Sequence, residues 1–161
     1  MYRIGLICLT MAFYGAFMPE STLYAYIDQK QAYEGIVIHI TDSNQMSLED
    51  CDNWHNARGW NGCGYNFVID KEAGLYDARG FNKTGAHTLN KKNRIRLSGR
   101  PNESLIGVAF VTKDRATKDQ LETFRAWIRQ HGLEGLPLYG HNQFQYKRCP
   151  GSVLKQIQGE T

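Results

Sequence analysis

Gly140-His141-Asn142-Gln143-Phe144-Gln145-Tyr146-Lys147-Arg148-Cys149-Pro150-Gly151 is the stretch on which the reading of this chain turns. A histidine and a cysteine stand eight positions apart, with a lysine two positions before the cysteine and a proline after it. Imidazole and thiolate are both good zinc ligands, but two ligands make half a site. The best third is His39, in the apolar run Gly35-Ile36-Val37-Ile38-His39-Ile40-Thr41. Two histidines and one thiolate leave the fourth tetrahedral position to water, which is the pattern of catalytic zinc.

Working outward, the run from Gly35 to Thr41 is mostly β-branched and reads as a buried strand. A histidine there is either a ligand or a hydrogen-bonded core residue. Ser47 is a good N-cap for a short helix with Glu49 and Asp50 in its first turn, closed by Arg58-Gly59 and carrying His55. Tyr65 to Asp70 and Leu75 to Ala78 read as a β-hairpin. Gly80 to Ser104 reads as one long loop, beyond the ~12–15 residues usual for a structureless connection. Lys91, Lys92, Arg94, Arg96 and Arg100 crowd into it, as a solvated surface or as a rim that attracts carboxylates and anionic polymers. Leu105 to Thr112 is a second apolar strand. Thr117 and Gln120 form a capping box for the longest helix, where Leu121, Phe124 and Ile128 recur at helical spacing until Gly132. Leu136 to Tyr139 is a short strand that delivers His141, and Ser152 to Ile157 forms a last helical turn or two. Alternating strands and helices predict an α/β fold with a central sheet covered by helices.

A chain of 161 residues is one domain by default and buries a real core. At 42% hydrophobic and 22% charged it is not a disordered chain. A net charge of +3 suits an anionic cell envelope and is too weak to argue for nucleic acid. Met1-Tyr2-Arg3 precedes an uncharged, mostly apolar run from Ile4 to Phe17, too short to span a bilayer comfortably. Pro19-Glu20-Ser21 breaks that run and Ala25 offers a small residue for cleavage. Residues 1–25 therefore read as a secretory signal, with a retained N-terminal helix and a weak, releasable membrane anchor as the other readings. Residues 26–161 are left as the functional domain. Cys51 and Cys63 either pair, as an exported protein allows, or stay as free buried thiols.

The chain resembles the zinc-dependent N-acetylmuramoyl-L-alanine amidases, the family of the bacteriophage amidase lysozymes and the peptidoglycan recognition proteins. The resemblance rests on Ile36 to Thr41, Trp54-His55-Asn56-Ala57-Arg58-Gly59-Trp60, Gly64-Tyr65-Asn66-Phe67-Val68-Ile69, Gly85-Ala86-His87, Ile106-Gly107-Val108, Gly140-His141 and Lys147-Arg148-Cys149-Pro150-Gly151. These pieces fall in family order over roughly three quarters of the chain. The resemblance implies a single α/β domain with a mixed central β-sheet flanked by helices. It implies zinc on His39, His141 and Cys149, with His55 structural. It places Tyr65 at the metal, as a phenol that hydrogen-bonds the reacting carbonyl oxygen or the water. Lys147 is placed to stabilise the oxyanion, and the lysine–tyrosine pair is most like the phage enzymes. His87 matches a position beside the substrate groove. The 80–104 loop is longer than in the compact phage enzymes that the chain resembles.

The implied reaction is hydrolysis of the amide between the lactyl group of N-acetylmuramic acid and L-alanine in peptidoglycan. The alternatives are a non-catalytic module of the same fold that binds muropeptides, and a structural zinc in a protein of other function. Non-catalytic relatives typically lose the ligand cysteine, and structural zinc usually has four protein ligands; here Cys149 is present and no fourth ligand stands out. The expected partner is the muropeptide stem of the wall, met outside the cytoplasm or in the envelope by a monomer without a stable membrane anchor. Whose wall is cut, as a phage lysin, an antibacterial effector, a remodelling enzyme or a host defence protein, stays open.

Overall fold

The computed structural model describes residues 33–160. The expected signal over residues 1–25 lies outside them. Five strands form one mixed sheet: β1 (Gly35–Ile40), β2 (Phe67–Ile69), β3 (Leu75–Asp77), β4 (Leu105–Phe110) and β5 (Leu138–Gly140). Their order is β3-β2-β4-β1-β5. Only the β2–β3 hairpin is antiparallel; β4 and β5 both run parallel to β1. All six residues of β1 and of β4 are buried, which explains their continuous apolar sequences.

Side chains alternate across a strand, so the register assigns each residue a face. Val37 and His39 share a face with Gly107 and Ala109. Ile36 and Ile38 share the other with Ile106 and Phe110. The Ile36 face is covered by helix α3 (Lys118–Gln130): Phe124 packs on Phe110 at 5.7 Å between ring centroids, and Trp127 on Phe67 at 4.8 Å. Truncating Trp127, 2% exposed, to alanine would cost about 3–5 kcal/mol. The expected capping box is present, Thr117 Oγ1 accepting from the Gln120 N–H and the Gln120 side chain accepting from the Thr117 N–H.

The His39 face is covered by two other helices. Helix α1 (Leu48–Asn56) starts at Ser47, whose hydroxyl accepts from the Asp50 N–H while the Asp50 carboxylate accepts from the Ser47 N–H. Its Cys51 pairs with Cys63, so of the two alternatives the disulfide is the one that forms. That bridge packs on Val68, Ala109 and Val111. Helix α4 (His141–Phe144) sets Phe144 against Val37 and Leu105. The sequence reading carried no helix here; Gly140 ends β5 and His141 opens a helical turn at once. Helix α5 (Val153–Gln158) ends in Gly159 at φ 78°, a left-handed cap.

Two further differences matter. Tyr65 precedes β2 rather than lying in it, because β2 is only three residues long. The 80–104 stretch ends in a helical turn, α2 (Pro101–Ser104), opened by a proline at its start. It is also docked: the Lys92 N–H donates to the Phe144 carbonyl at 2.9 Å and Lys92 Nζ to the Asn142 carbonyl at 2.6 Å. At least this basic residue is tied to the neighbourhood of His141.

Candidate metal centre

His39, His141 and Cys149 converge at the C-terminal end of β1. The potential ligand atoms of all three lie within 4.8 Å of one another. His39 comes from the strand, His141 from the first position of α4 beside it, and Cys149 from the loop that follows. That loop is closed by the Asn142 N–H, which donates to the Cys149 carbonyl at 2.8 Å. The Cys149 Sγ accepts from the Ile40 N–H at 3.2 Å, so the thiol is anchored to the residue after His39. The distance from Sγ to His39 Nδ1 is 3.8 Å. Two ligands of one tetrahedral zinc, at Zn–N and Zn–S lengths of about 2.0 and 2.3 Å, stand about 3.5 Å apart. The donor set and its spacing therefore fit a zinc ion with little rearrangement.

The electrostatics suit the same use. Burial, then the neighbouring His141 and His87, holds His39 well below the ordinary histidine range. Burial and the Lys147 charge bring His141 down to about 4. Both rings are thus neutral near pH 7, the form that coordinates metal. The Cys149 thiol is pushed up to about 12, chiefly by burial, against the Ile40 N–H and Lys147, which favour the thiolate. Without a cation it keeps its proton, so metal capture must displace one.

Around this centre the Tyr65 ring stands 5.1 Å from the His39 ring. Burial and the nearby Cys149 raise the phenol, which stays a hydrogen-bond donor across the working range. Lys147 is exposed, and its charge reaches both His141 and Cys149. His87 sits beneath His39 rather than on a rim. It is 7% exposed, its Nδ1 is 3.1 Å from His39 Nε2 and its Nε2 is 3.3 Å from the Leu105 carbonyl oxygen. In this arrangement both ring nitrogens of His87 have a partner. The burial has a steric cause: the ring lies over two glycines, Gly85 and Gly107, whose missing side chains leave it room.

His55 stands apart from the metal-ligand set. Its Nδ1 accepts from the Gly64 N–H at 2.8 Å, and its ring lies near those of Trp54 and Trp60. It forms a second compact group with Cys51 and Cys63, but the disulfide leaves that group without thiolates. The sequence reading missed Gln145, whose carboxamide nitrogen is 2.8 Å from His141 Nε2. Its position four residues after His141, across a helical turn, was the available signal. It also missed Asn66, whose Oδ1 accepts from the Gly107 N–H at 2.8 Å and whose Nδ2 donates to the Gly80 carbonyl at 2.7 Å.

Comparison with known proteins agrees with this geometry. The family model described as N-acetylmuramoyl-L-alanine amidase matches residues 29–152. Peptidoglycan-recognition protein SC2 of Drosophila melanogaster is 33% identical over 130 residues, covering 73% of this chain and 68% of the relative. An N-acetylmuramoyl-L-alanine amidase of Sus scrofa is 32% identical over 104 residues, 62% of this chain but only 16% of that longer protein. Among solved structures, peptidoglycan recognition protein-LE in complex with tracheal cytotoxin superposes with a TM-score of 0.66 at 25% identity, covering 80% of each chain. The amidase LysC from Clostridium intestinale URNW superposes with a TM-score of 0.64 at 25% identity, covering 80% of this chain and 85% of that one. A mixed sheet of this order, a histidine–cysteine cluster at the end of its inner strand β1 and a family match over most of the sequence lead to one assignment: the chain belongs to the N-acetylmuramoyl-L-alanine amidase family, shared with the peptidoglycan-recognition proteins.

Proposed function

We propose that this chain is a zinc-dependent amidase that hydrolyses the bond between N-acetylmuramic acid and L-alanine in peptidoglycan. The observation that carries the reading is the retention of Cys149 together with two neutral histidines, all within ligand distance of one point. His39, His141 and Cys149 hold the ion. When bound, zinc supplies Lewis-acid activation of water and of the scissile carbonyl. The protein's own groups do the rest. The Tyr65 phenol, held protonated, donates a hydrogen bond to the carbonyl oxygen of the muramyl amide. Lys147 supplies a positive charge where negative charge develops on that oxygen. Trp54 and Trp60 are partly exposed, with the Arg58 guanidinium over the Trp54 ring at 3.4 Å, and offer a mixed aromatic and cationic surface near Tyr65 for the muropeptide.

The same reading covers location and partner. The Cys51–Cys63 disulfide favours an oxidising compartment, outside the cytoplasm or in the envelope. Among the described residues no helix is long and apolar enough to cross a membrane. A signal over residues 1–25 and a monomeric enzyme complete the proposal. Peptidoglycan recognition without cleavage is the second reading, favoured by the recognition protein with tracheal cytotoxin among its structural neighbours. One experiment separates the two: zinc content of the purified protein by mass spectrometry, with release of L-alanine-terminated peptides from purified wall. Stoichiometric zinc and peptide release are expected. Zinc without release leaves the binding module, and absence of both overturns the zinc reading.

A further inference from the structure

Resting on the reading of His39 as a metal ligand, we infer that His87 is a positioning residue for the metal, fixing the tautomer in which His39 presents a bare Nδ1 to the site. The inference follows from a one-way chain of donors and acceptors. The Leu105 carbonyl can only accept, so the hydrogen at His87 Nε2, 3.3 Å away, must point toward it. A neutral imidazole carries one N–H. Its Nδ1 is therefore a lone pair, and it lies 3.1 Å from His39 Nε2. That lone pair selects the His39 tautomer with hydrogen on Nε2. The lone pair of His39 is then on Nδ1, the nitrogen that stands 3.8 Å from the Cys149 sulfur. A backbone oxygen on β4 thus decides, through two rings, which nitrogen of His39 is open to a cation.

The ring of His87 is held too tightly for a residue that follows a moving substrate. A Cβ at Gly107 would collide with its Cγ and Cδ2, and one at Gly85 with its Cδ2. Asn102 Oδ1 accepts from the backbone N–H groups of His87 and Thr88, at 2.9 Å each. Asn66 in turn braces Gly107 through its N–H. The slot, the backbone clamp and both ring nitrogens all specify one orientation. Carboxylates or carbonyls commonly orient ligand histidines in metal sites; here a second histidine relays the carbonyl's preference.

The test has two arms. The first is ¹⁵N NMR of the histidine rings in zinc-loaded and zinc-stripped wild type. We expect His39 to carry its hydrogen on Nε2 in both states, and hydrogen on Nδ1 in the stripped protein overturns the inference. The second is zinc affinity by chelator competition. His87→Phe keeps a ring in the slot but offers no acceptor, and zinc should bind about 10–100-fold more weakly. His87→Asn places an amide oxygen near the lost Nδ1 and should recover much of that loss. Muropeptide affinity of the zinc-loaded variants should stay near wild type. Unchanged zinc affinity in His87→Phe with weakened muropeptide binding would make His87 a substrate contact and overturn the inference. If the Phe variant does not fold, the wild-type tautomer still decides. Wild type that binds zinc without cutting wall defeats the amidase reading and leaves the tautomer and affinity results standing, so the two failures are distinguishable.

Discussion

The described residues hold two compact groups of cysteine and histidine, and only one of the two is arranged to take a metal. Cys51, His55 and Cys63 lie as close together as His39, His141 and Cys149 do. In the first group the sulfurs are joined to each other and the His55 Nδ1 is occupied by the Gly64 N–H. In the second the lone cysteine has no partner sulfur among the described residues, and its thiol is steadied by the Ile40 N–H. Residue type and proximity are common to both. What differs is the other commitment of each ligand atom: a covalent bond and a backbone amide spend the first group on structure, whereas the second keeps its electron pairs directed at one point.

The comparison is broken most severely by removing a ligand. Cys149→Ser, His39→Ala and His141→Ala should each lose zinc by mass spectrometry and essentially all wall cleavage, while His55→Ala keeps its zinc. Full zinc in Cys149→Ser would return the group of Cys51, His55 and Cys63 to contention. Next in size is Lys147→Ala. Losing a donor that meets charge only in the transition state should lower kcat about 10²–10³-fold with KM little changed. Tyr65→Phe should do the same to a similar or lesser degree, and wild-type kcat in Lys147→Ala would reduce Lys147 to a surface charge. The double replacement Cys51→Ala, Cys63→Ala should act on the fold instead. Opening a bridge between residues 12 apart should cost about 2–4 kcal/mol in chemical denaturation, with zinc still bound by the folded fraction.

The smallest effect concerns pH. Burial first, then the Arg58 and Arg79 charges, hold His55 below the ordinary histidine value of 6.5. Below that pH the unfolded chain takes up a proton that the folded ring resists, so stability falls as pH falls through 6.5. His55→Asn should lose this part of the acid sensitivity. Its melting temperature should drop less than that of wild type between pH 7 and pH 5.5, and parallel drops would show that the Gly64 contact does not depend on a neutral ring.

Much of this was legible in advance where chemistry is local. The apolar runs of β1 and β4, and the Thr117–Gln120 box of α3, depend on neighbours in sequence. The grouping of His39 with His141 and Cys149 was expected from ligand chemistry and family likeness. Residues whose roles depend on distant partners were less legible. Whether Cys51 and Cys63 met depended on how α1 turns its Cys51 toward the sheet. The burial of His87 was not legible because it is set by two glycines, one of them 20 residues further along the chain. Gln145 was passed over because its one signal, the four-residue spacing from His141, has meaning only once a helical turn joins the two.

The separation of the site along the chain has a consequence for biosynthesis. His39 and Cys149 are 110 positions apart, and the parallel pairing of β1 with both β4 and β5 is what brings their segments together. A growing chain that has made β1 holds one histidine of the set and nothing to close around an ion. On the zinc reading, metal capture must therefore wait until Cys149 has been synthesised and β5 is paired with β1. On the amidase reading proposed above, a chain assembled in that order is silent until then, and if exported unfolded it would acquire its metal only at its destination.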